Sequence, residues 1–361
     1  ALSLQGLGQM ITPLVSANLI SHRKRVLPIA FVTGSLMRRC VLLMGLAGFF
    51  LETDDLLVAL ILLLTLFGLM EGMQGVIFNY LMSKVIPVSK RGRLMGLRNF
   101  LAGITSAAVA YIGGTYLIGI ESSVEGYSWT FVLAFVLTAC GLMMLFWVRE
   151  PEPPGVKKQV SLRQQLRDVP VLLKTEPAFR RFITARSIAT MGRMAMPFYI
   201  LYAGQTIGLS GETLGLITFA FTMSGTVSNL IWGVIADARG FRLVLLITSV
   251  IWILSTLLLM LSATLVMTII VFIGIGASVQ GFEIGARSIV LEFGDRANLP
   301  IRIALANTVS QITGSLGPLI GGVLAAILGY ESVFLVSVIF LIAGTGMIFF
   351  RIPEPRTQSV L

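Results

Sequence analysis

The sequence is built from long apolar runs of about the length needed to cross a bilayer, which is roughly 20 residues for a helix. Backbone N–H and C=O groups find no water in the hydrocarbon core, so runs of this length can span it only as helices. With 56% hydrophobic and 12% charged residues, the composition agrees. The sequence therefore predicts an all-α, multi-pass membrane protein. The eleven runs lie near residues 1–20, 27–50, 56–82, 94–119, 128–148, 181–205, 213–236, 241–262, 265–286, 303–328 and 332–350.

The basic residues orient this chain in the membrane. All of the 27 Lys and Arg residues except Arg38, Arg39, Arg186 and Arg193 fall in alternate connections, and the opposite connections hold none. The basic connections are counted here with the adjoining ends of the runs, as 21–26, 83–99, 149–181, 237–242, 287–302 and 351–361. By the positive-inside rule the basic connections are cytoplasmic. The formal charge of +10 therefore follows from topology, and it predicts contact with lipid headgroups without requiring a nucleic-acid partner.

A short charged hairpin, Gly233 to Arg242, separates two of the apolar runs. Its Asp237 lies at the end of a run, where it would face the negative end of its own helix dipole. The carboxylate therefore needs an outside partner, such as another helix's N-terminus or an arginine. Gly233 lies four residues earlier on the same face, so a neighbouring helix can approach closely at that point.

The hairpin pattern G-x-x-x-D-x-R-G-x-R, made by Gly233, Asp237, Arg239, Gly240 and Arg242, resembles the loop signature of the major facilitator superfamily. The resemblance implies two six-helix bundles, with eleven of twelve transmembrane helices present and the first one missing. It also implies a monomeric transporter that moves a small molecule by alternating access, with Asp237 as a cytoplasmic latch. A bacterial inner membrane, or another plasma membrane, is the expected location.

An internal repeat divides the chain. Gly68, Gln74 and Gly75 recur as Gly274, Gln280 and Gly281 at a constant offset, as expected of a duplicated unit. The sequence predicts an N-terminal half at 1–148, a cytoplasmic linker with an amphipathic helix at 149–180, and a C-terminal half at 181–361. In the first half, Ser21 stands where the second half has Asp237.

No pattern typical of an enzyme is visible. The chain has one histidine, His22, in a basic loop, and two cysteines, Cys40 and Cys140, inside apolar runs. There is no metal-ligand spacing, phosphate loop or cofactor motif. We therefore expect no catalysis, no metal and no cofactor.

Charged residues inside the predicted helices are the best candidates for function, because a buried charge must be paired or face water. Arg38, Glu71 and Arg193 each lie roughly 18 Å along their helices. Glu71 is either a structural partner of Arg38 or Arg39, or a proton-coupling group. Glu283 and Arg287, four residues apart, predict a local ion pair.

The resemblance implies that helices 1, 4, 7 and 10 of the superfamily line a central cavity. It assigns Glu71 and Gln74 to helix 4, Arg193 and Tyr199 to helix 7, and Gln280 and Glu283 to helix 10. Arg38, Arg39 and Arg193 outnumber Glu71 at the midplane by two, so the balancing negative charge lies either on the missing first helix or on the ligand. The second alternative gives the hypothesis of an anionic or zwitterionic substrate. Proton coupling stays open. The alternative is a superfamily-like membrane assembly protein that binds a partner and transports no solute.

Overall fold

The chain folds into α-helices joined by short connections. The computed structural model describes residues 2–112, 116, 124–151, 161–208, 210–294 and 298–354. Within these ranges there is no β-strand. The described helices are α1 (Leu2–Ser21), α2 (Leu27–Phe50), α3 (Thr53–Val85), α4 (Arg91–Ile112), α5 (Val124–Met143), α6 (Leu162–Thr175), α7 (Pro177–Met191), α8 (Met196–Ile207), α9 (Gly211–Arg239), α10 (Phe241–Met260), α11 (Leu265–Ser288), α12 (Leu299–Leu328) and α13 (Tyr330–Arg351).

Helices form at all eleven of the predicted runs. Eight of those described are long and apolar enough to cross a membrane. The other three runs form α1, the more polar α4, and the pair α7 and α8, which a 3₁₀ turn at Gly192–Ala195 separates. The last residues of the run predicted at 94–119 lie outside the described residues. The predicted linker helix forms as α6, whereas residues 152–160 of the linker are also outside them.

The helices belong to two compact units. One comprises Ala1–Ile86, Ala102–Asp168 and Asp295–Thr308, and the other comprises Pro87–Leu101, Val169–Gly294 and Val309–Leu361. In the first unit α1 packs on α3, and α2 packs on α3 and α5. In the second unit α9 packs on α11, and α10 packs on α11 and α13. The same packing order in both units agrees with the internal repeat.

A glutamate that follows α5 caps the start of α2 in the first unit. Glu150 accepts hydrogen bonds from the backbone N–H groups of Val26, at 2.8 and 2.9 Å, and of Leu27, at 2.8 Å. The Nζ atom of Lys84 lies 2.7 Å from Glu150 Oε1, and the glutamate side chain is only 3% exposed. Glu150 therefore satisfies N-terminal donors that a helix leaves free, and its negative charge complements the helix dipole. The sequence reasoning missed this role.

We expect Glu150→Ala to destabilise the first unit by about 2 kcal/mol, because it removes a cap and leaves a buried ammonium without its carboxylate. Thermal melting followed by intrinsic fluorescence measures the loss. Glu150→Gln, which keeps an acceptor oxygen, should lose less. Equal melting temperatures for the wild type and both variants would contradict the capping role.

Candidate functional site

The Asp237 carboxylate lies against the N-terminus of α4, within the second unit. Its Oδ1 accepts from the backbone N–H of Gly92 at 2.6 Å, and its Oδ2 accepts from that of Arg93 at 2.9 Å. The Arg93 Nε atom is 3.8 Å from Oδ2. The expectation of an outside helix N-terminus as the partner is thus confirmed, with an arginine added. The carboxylate satisfies two helix donors and meets the positive end of the dipole.

Glycines allow the two helices to approach this closely. A Cβ atom added to Gly92 would lie 2.7 Å from Asp237 Oδ1 and would also clash with the carbonyl oxygen of Gly233. A Cβ on Gly233 would lie 2.6 Å from the carbonyl oxygen of Gly92. The close approach predicted from the position of Gly233 is therefore confirmed.

The remaining hairpin residues form the turn between α9 and α10. Gly240 has a φ of +87°, a conformation that glycine adopts without strain, and so α9 ends at Arg239 and α10 begins at Phe241. Arg242 donates from Nη2 to the carbonyl of Phe349 at 2.7 Å, near the end of α13. Arg239 is exposed.

A cluster of charges connects the break between α7 and α8 to α11, also within the second unit. Arg193 Nη1 donates to Glu283 Oε1. The Nε atom of Arg287 donates to Glu283 Oε2 at 3.0 Å, so the predicted local pair of Glu283 and Arg287 is confirmed. The side chains of Arg193 and Glu283 are 35% and 23% exposed. Glu283 is therefore shared by two arginines, one on each oxygen.

This cluster changes the charge balance inferred from the sequence, in which Arg193 had no protein carboxylate at its depth. Glu283 was predicted to form a local ion pair with Arg287, yet it also reaches Arg193. The rise per residue gives the depth of a side chain along its own helix. It does not show which side chains of other helices lie beside it. The surplus of positive charge persists at a different residue, because Arg186 on α7 also lies within electrostatic range of Glu283.

Tyr199, a sequence-predicted binding residue, lies in a packed interior. It is 2% exposed, its hydroxyl is 2.9 Å from Thr256 Oγ1, and it accepts from Trp252 Nε1 at 3.0 Å. Its ring packs on Phe334. Buried tyrosines normally satisfy their hydroxyl in this way, so the contacts favour a packing role over substrate binding.

We expect Tyr199→Phe to lower stability by about 1 kcal/mol through the lost hydroxyl contacts and to leave ligand affinity unchanged. The melting temperature and the ligand-induced shift in melting measure the two effects separately. Loss of the ligand-induced shift with normal ligand-free melting would instead place Tyr199 in the binding site.

The candidate residues of the first unit form smaller polar contacts. Glu71 Oε2 accepts from Gln9 Nε2 at 2.6 Å, and Gln74 Oε1 accepts from Thr33 Oγ1. Arg38 donates to the carbonyl oxygens of Gly34 at 2.8 Å and Thr138 at 2.7 Å. Arg38 therefore uses backbone acceptors on its own helix and on α5, and Glu71 has an amide partner.

Two further predicted residues lie apart from these networks. Arg39 is exposed on α2. Gln280, the repeat equivalent of Gln74, is half-buried on α11, and its side chain faces Gly225, where an added Cβ would lie 2.9 Å from Gln280 Cγ. The role of both glutamines in binding stays a prediction.

Comparison with known families agrees with the helices and the hairpin described above. The family model described as Major Facilitator Superfamily matches residues 1–192 and 182–360. The chain belongs to the major facilitator superfamily. It is accordingly a multi-pass membrane protein with the fold of that superfamily. No curated sequence matches the chain.

Solved transporters of the superfamily have a similar fold. The chain is similar to the E. coli fucose:proton symporter, with a TM-score of 0.79, 12% identity, and coverage of 97% of this chain and 90% of that one. It is also similar to the human organic anion transporter TETRAN, with a TM-score of 0.76, 12% identity, and coverage of 96% and 82%. A proton:xylose symporter matches with a TM-score of 0.73, 11% identity, and coverage of 98% and 85%.

Proposed function

We propose that the protein is a secondary active transporter that moves a small organic molecule across a membrane by alternating access. Membership of the superfamily supports transport in general. The observation that carries the proposal is the charged cluster of Arg193, Glu283 and Arg287, because ionisable groups within membrane helices are costly and are typical of substrate or ion pathways. A protein that only binds a partner has little need for such a cluster.

The proposed substrate is anionic or zwitterionic. Glu283 uses both carboxylate oxygens on Arg193 and Arg287, while Arg186 adds a third cation nearby. The positive surplus favours a ligand that brings negative charge. One of the similar solved structures is an organic anion transporter and two are sugar symporters. At identities of 11–12% these show the fold alone, so the local charges support the substrate class.

The proposal extends to the organisation of the protein in the cell. Halves at 1–148 and 181–361 would move about a central site, with the linker at 149–180 and the basic loops on the cytoplasmic side of a plasma membrane. The protein would work as a monomer.

Proton coupling through Glu71 is the fourth part of this proposal. Glu71 is half-buried in a membrane-spanning helix and bonded to the neutral amide of Gln9. We expect Glu71→Gln to abolish accumulation driven by a pH gradient and to retain exchange of substrate across liposome membranes. Radiolabel uptake with and without the gradient measures both. Gradient-driven accumulation at the wild-type level in this variant would exclude Glu71 as the coupling group.

A ligand-dependent melting screen tests the function. The protein in lipid nanodiscs is melted with anionic, neutral and cationic small molecules, and each stabilising compound is then followed by flux in liposomes. A ligand at a hundredfold its Kd adds about 2.7 kcal/mol of stability. Stabilisation by anions together with their flux would support the proposal. A co-purifying protein partner, with no stabilising solute, would favour the membrane assembly alternative instead.

A further inference from the structure

Arg186, on α7, is the most deeply buried member of the charged cluster and is 5% exposed. Within the described part of the chain, its Nε and Nη1 atoms have no hydrogen-bond partner. Arginine cannot escape burial by losing its proton. The cation therefore stays charged with two donor nitrogens unused, which costs free energy in a protein interior and more in a membrane.

The nearby carboxylate does not supply the missing acceptor in this structure. The charges that act on Arg186 are those of Glu283, Arg287 and Arg193. Both Glu283 oxygens already accept from the other two arginines. Three guanidinium groups therefore share one carboxylate, and the most buried of the three makes no hydrogen bond to it.

A hydroxyl group one helical turn from Arg186 is also unused. Thr190 is 1% exposed, and its Oγ1 finds no partner among the described residues. Residues four apart lie on the same helix face. Other hydroxyls of α7 bond to the carbonyl one turn earlier: Thr184 to Arg180 at 3.1 Å and Ser187 to Ile183 at 2.8 Å. Thr190 departs from this pattern, which leaves its hydroxyl free to bind something else.

We infer that Arg186 and Thr190 bind the anionic group of the transported molecule. Guanidinium and hydroxyl donors on one helix face suit an oxyanion, either a carboxylate or a phosphate-type group. The pair of Glu283 with Arg193 connects the turn after α7 to α11, while Arg287 bonds to the other Glu283 oxygen from within α11. The inference rests on the proposed transport function and names the residues that recognise its substrate.

Matched pairs of probes separate the anionic group from the rest of a ligand. The probes are glucuronate with glucose, benzoate with benzamide, and glycerol phosphate with glycerol, each tested by melting the full chain in nanodiscs and by flux. We expect only oxyanion members to stabilise the wild type. Comparing the carboxylate probes with glycerol phosphate shows which oxyanion the site binds.

Variants then locate the site. We expect Arg186→Met to weaken oxyanion binding at least 100-fold and Thr190→Val to weaken it about 10-fold, as for hydrogen bonds to charged groups. Arg180→Met, an exposed change on the same helix, is the matched control and should bind normally. Because the Arg186 guanidinium is buried with unsatisfied donors when no ligand is bound, Arg186→Met should melt at or above the wild-type temperature in ligand-free buffer.

Other outcomes would contradict the site, the inference or the proposed function. Oxyanion binding that survives Arg186→Met overturns the site, and so does a large drop in ligand-free melting temperature, since the arginine would then be a structural partner. Stabilisation by a neutral member alone keeps the transport function and removes this inference. If no probe acts and none is transported, the proposed function fails together with the inference.

Discussion

Replacing Glu283 with Gln is expected to destabilise the protein more than replacing either arginine that it contacts. The carboxylate is shared by Arg193 and Arg287 and also acts on Arg186, so its loss leaves three cations without a counter-charge. Removing one member of a buried ion pair costs about 3–5 kcal/mol. Because Arg193 and Glu283 are partly exposed, we expect a value near the lower end of that range.

A double-mutant cycle isolates the pair. Melting temperatures are compared for Glu283→Gln, Arg193→Met and the double variant, with Glu212→Gln as an exposed control on α9. We expect the double variant to be more stable than the sum of the single losses predicts, because removing the arginine removes the charge that Glu283 compensates. Strict additivity would mean that the two side chains are not coupled in the folded protein.

Replacing Asp237 with Ala is expected to bias the transporter away from its outward-facing state. Asp237 accepts from two backbone N–H groups at the start of α4 and faces the positive end of that helix. Losing such a cap costs about 1–2 kcal/mol, which changes a two-state population by about 5- to 30-fold. An effect of that size is visible in the accessibility of single cysteines on the two membrane faces.

The labelling experiment uses a background without Cys40 and Cys140, so that only introduced thiols react. Asp237→Asn keeps one acceptor oxygen and loses the charge, so it should show an intermediate bias. Asp168→Ala, at an exposed linker position, serves as the control for loss of an acidic side chain. Unchanged labelling on both faces in Asp237→Ala would refute the latch.

The sequence predicted the helices well because bilayer thickness and backbone hydrogen bonding leave few alternatives to a helix. It also predicted the kind of partner that Asp237 needs, since a carboxylate at a helix C-terminus requires outside donors. It did not identify Gly92 and Arg93, because the helix-dipole argument requires outside donors but does not say which residues supply them. Only the folded chain brings together residues that are 145 and 144 positions apart.

Only part of the charged cluster was predicted, for a similar reason. Spacing along α11 was enough to pair Glu283 with Arg287, which are four residues apart. Arg193 is 90 positions from Glu283, and no periodicity connects them. Arg186 was recognised as a cation inside an apolar run, but its burial and unused donors depend on how α7 packs. Tyr199 likewise depends on Trp252 and Thr256, which belong to another helix.

The cap on α2 has a consequence for synthesis of the chain. The Val26 N–H group lies 124 residues before the glutamate that accepts from it. At a synthesis rate of about 5–20 residues per second, the start of α2 is made roughly 6 to 25 s before Glu150 exists. During that interval water or lipid headgroups must accept the hydrogen bonds of the Val26 and Leu27 N–H groups. The start of α2 thus reaches its final arrangement only once the chain has been made beyond α5 as far as Glu150, and a ribosome that stalls before Glu150 leaves α2 uncapped.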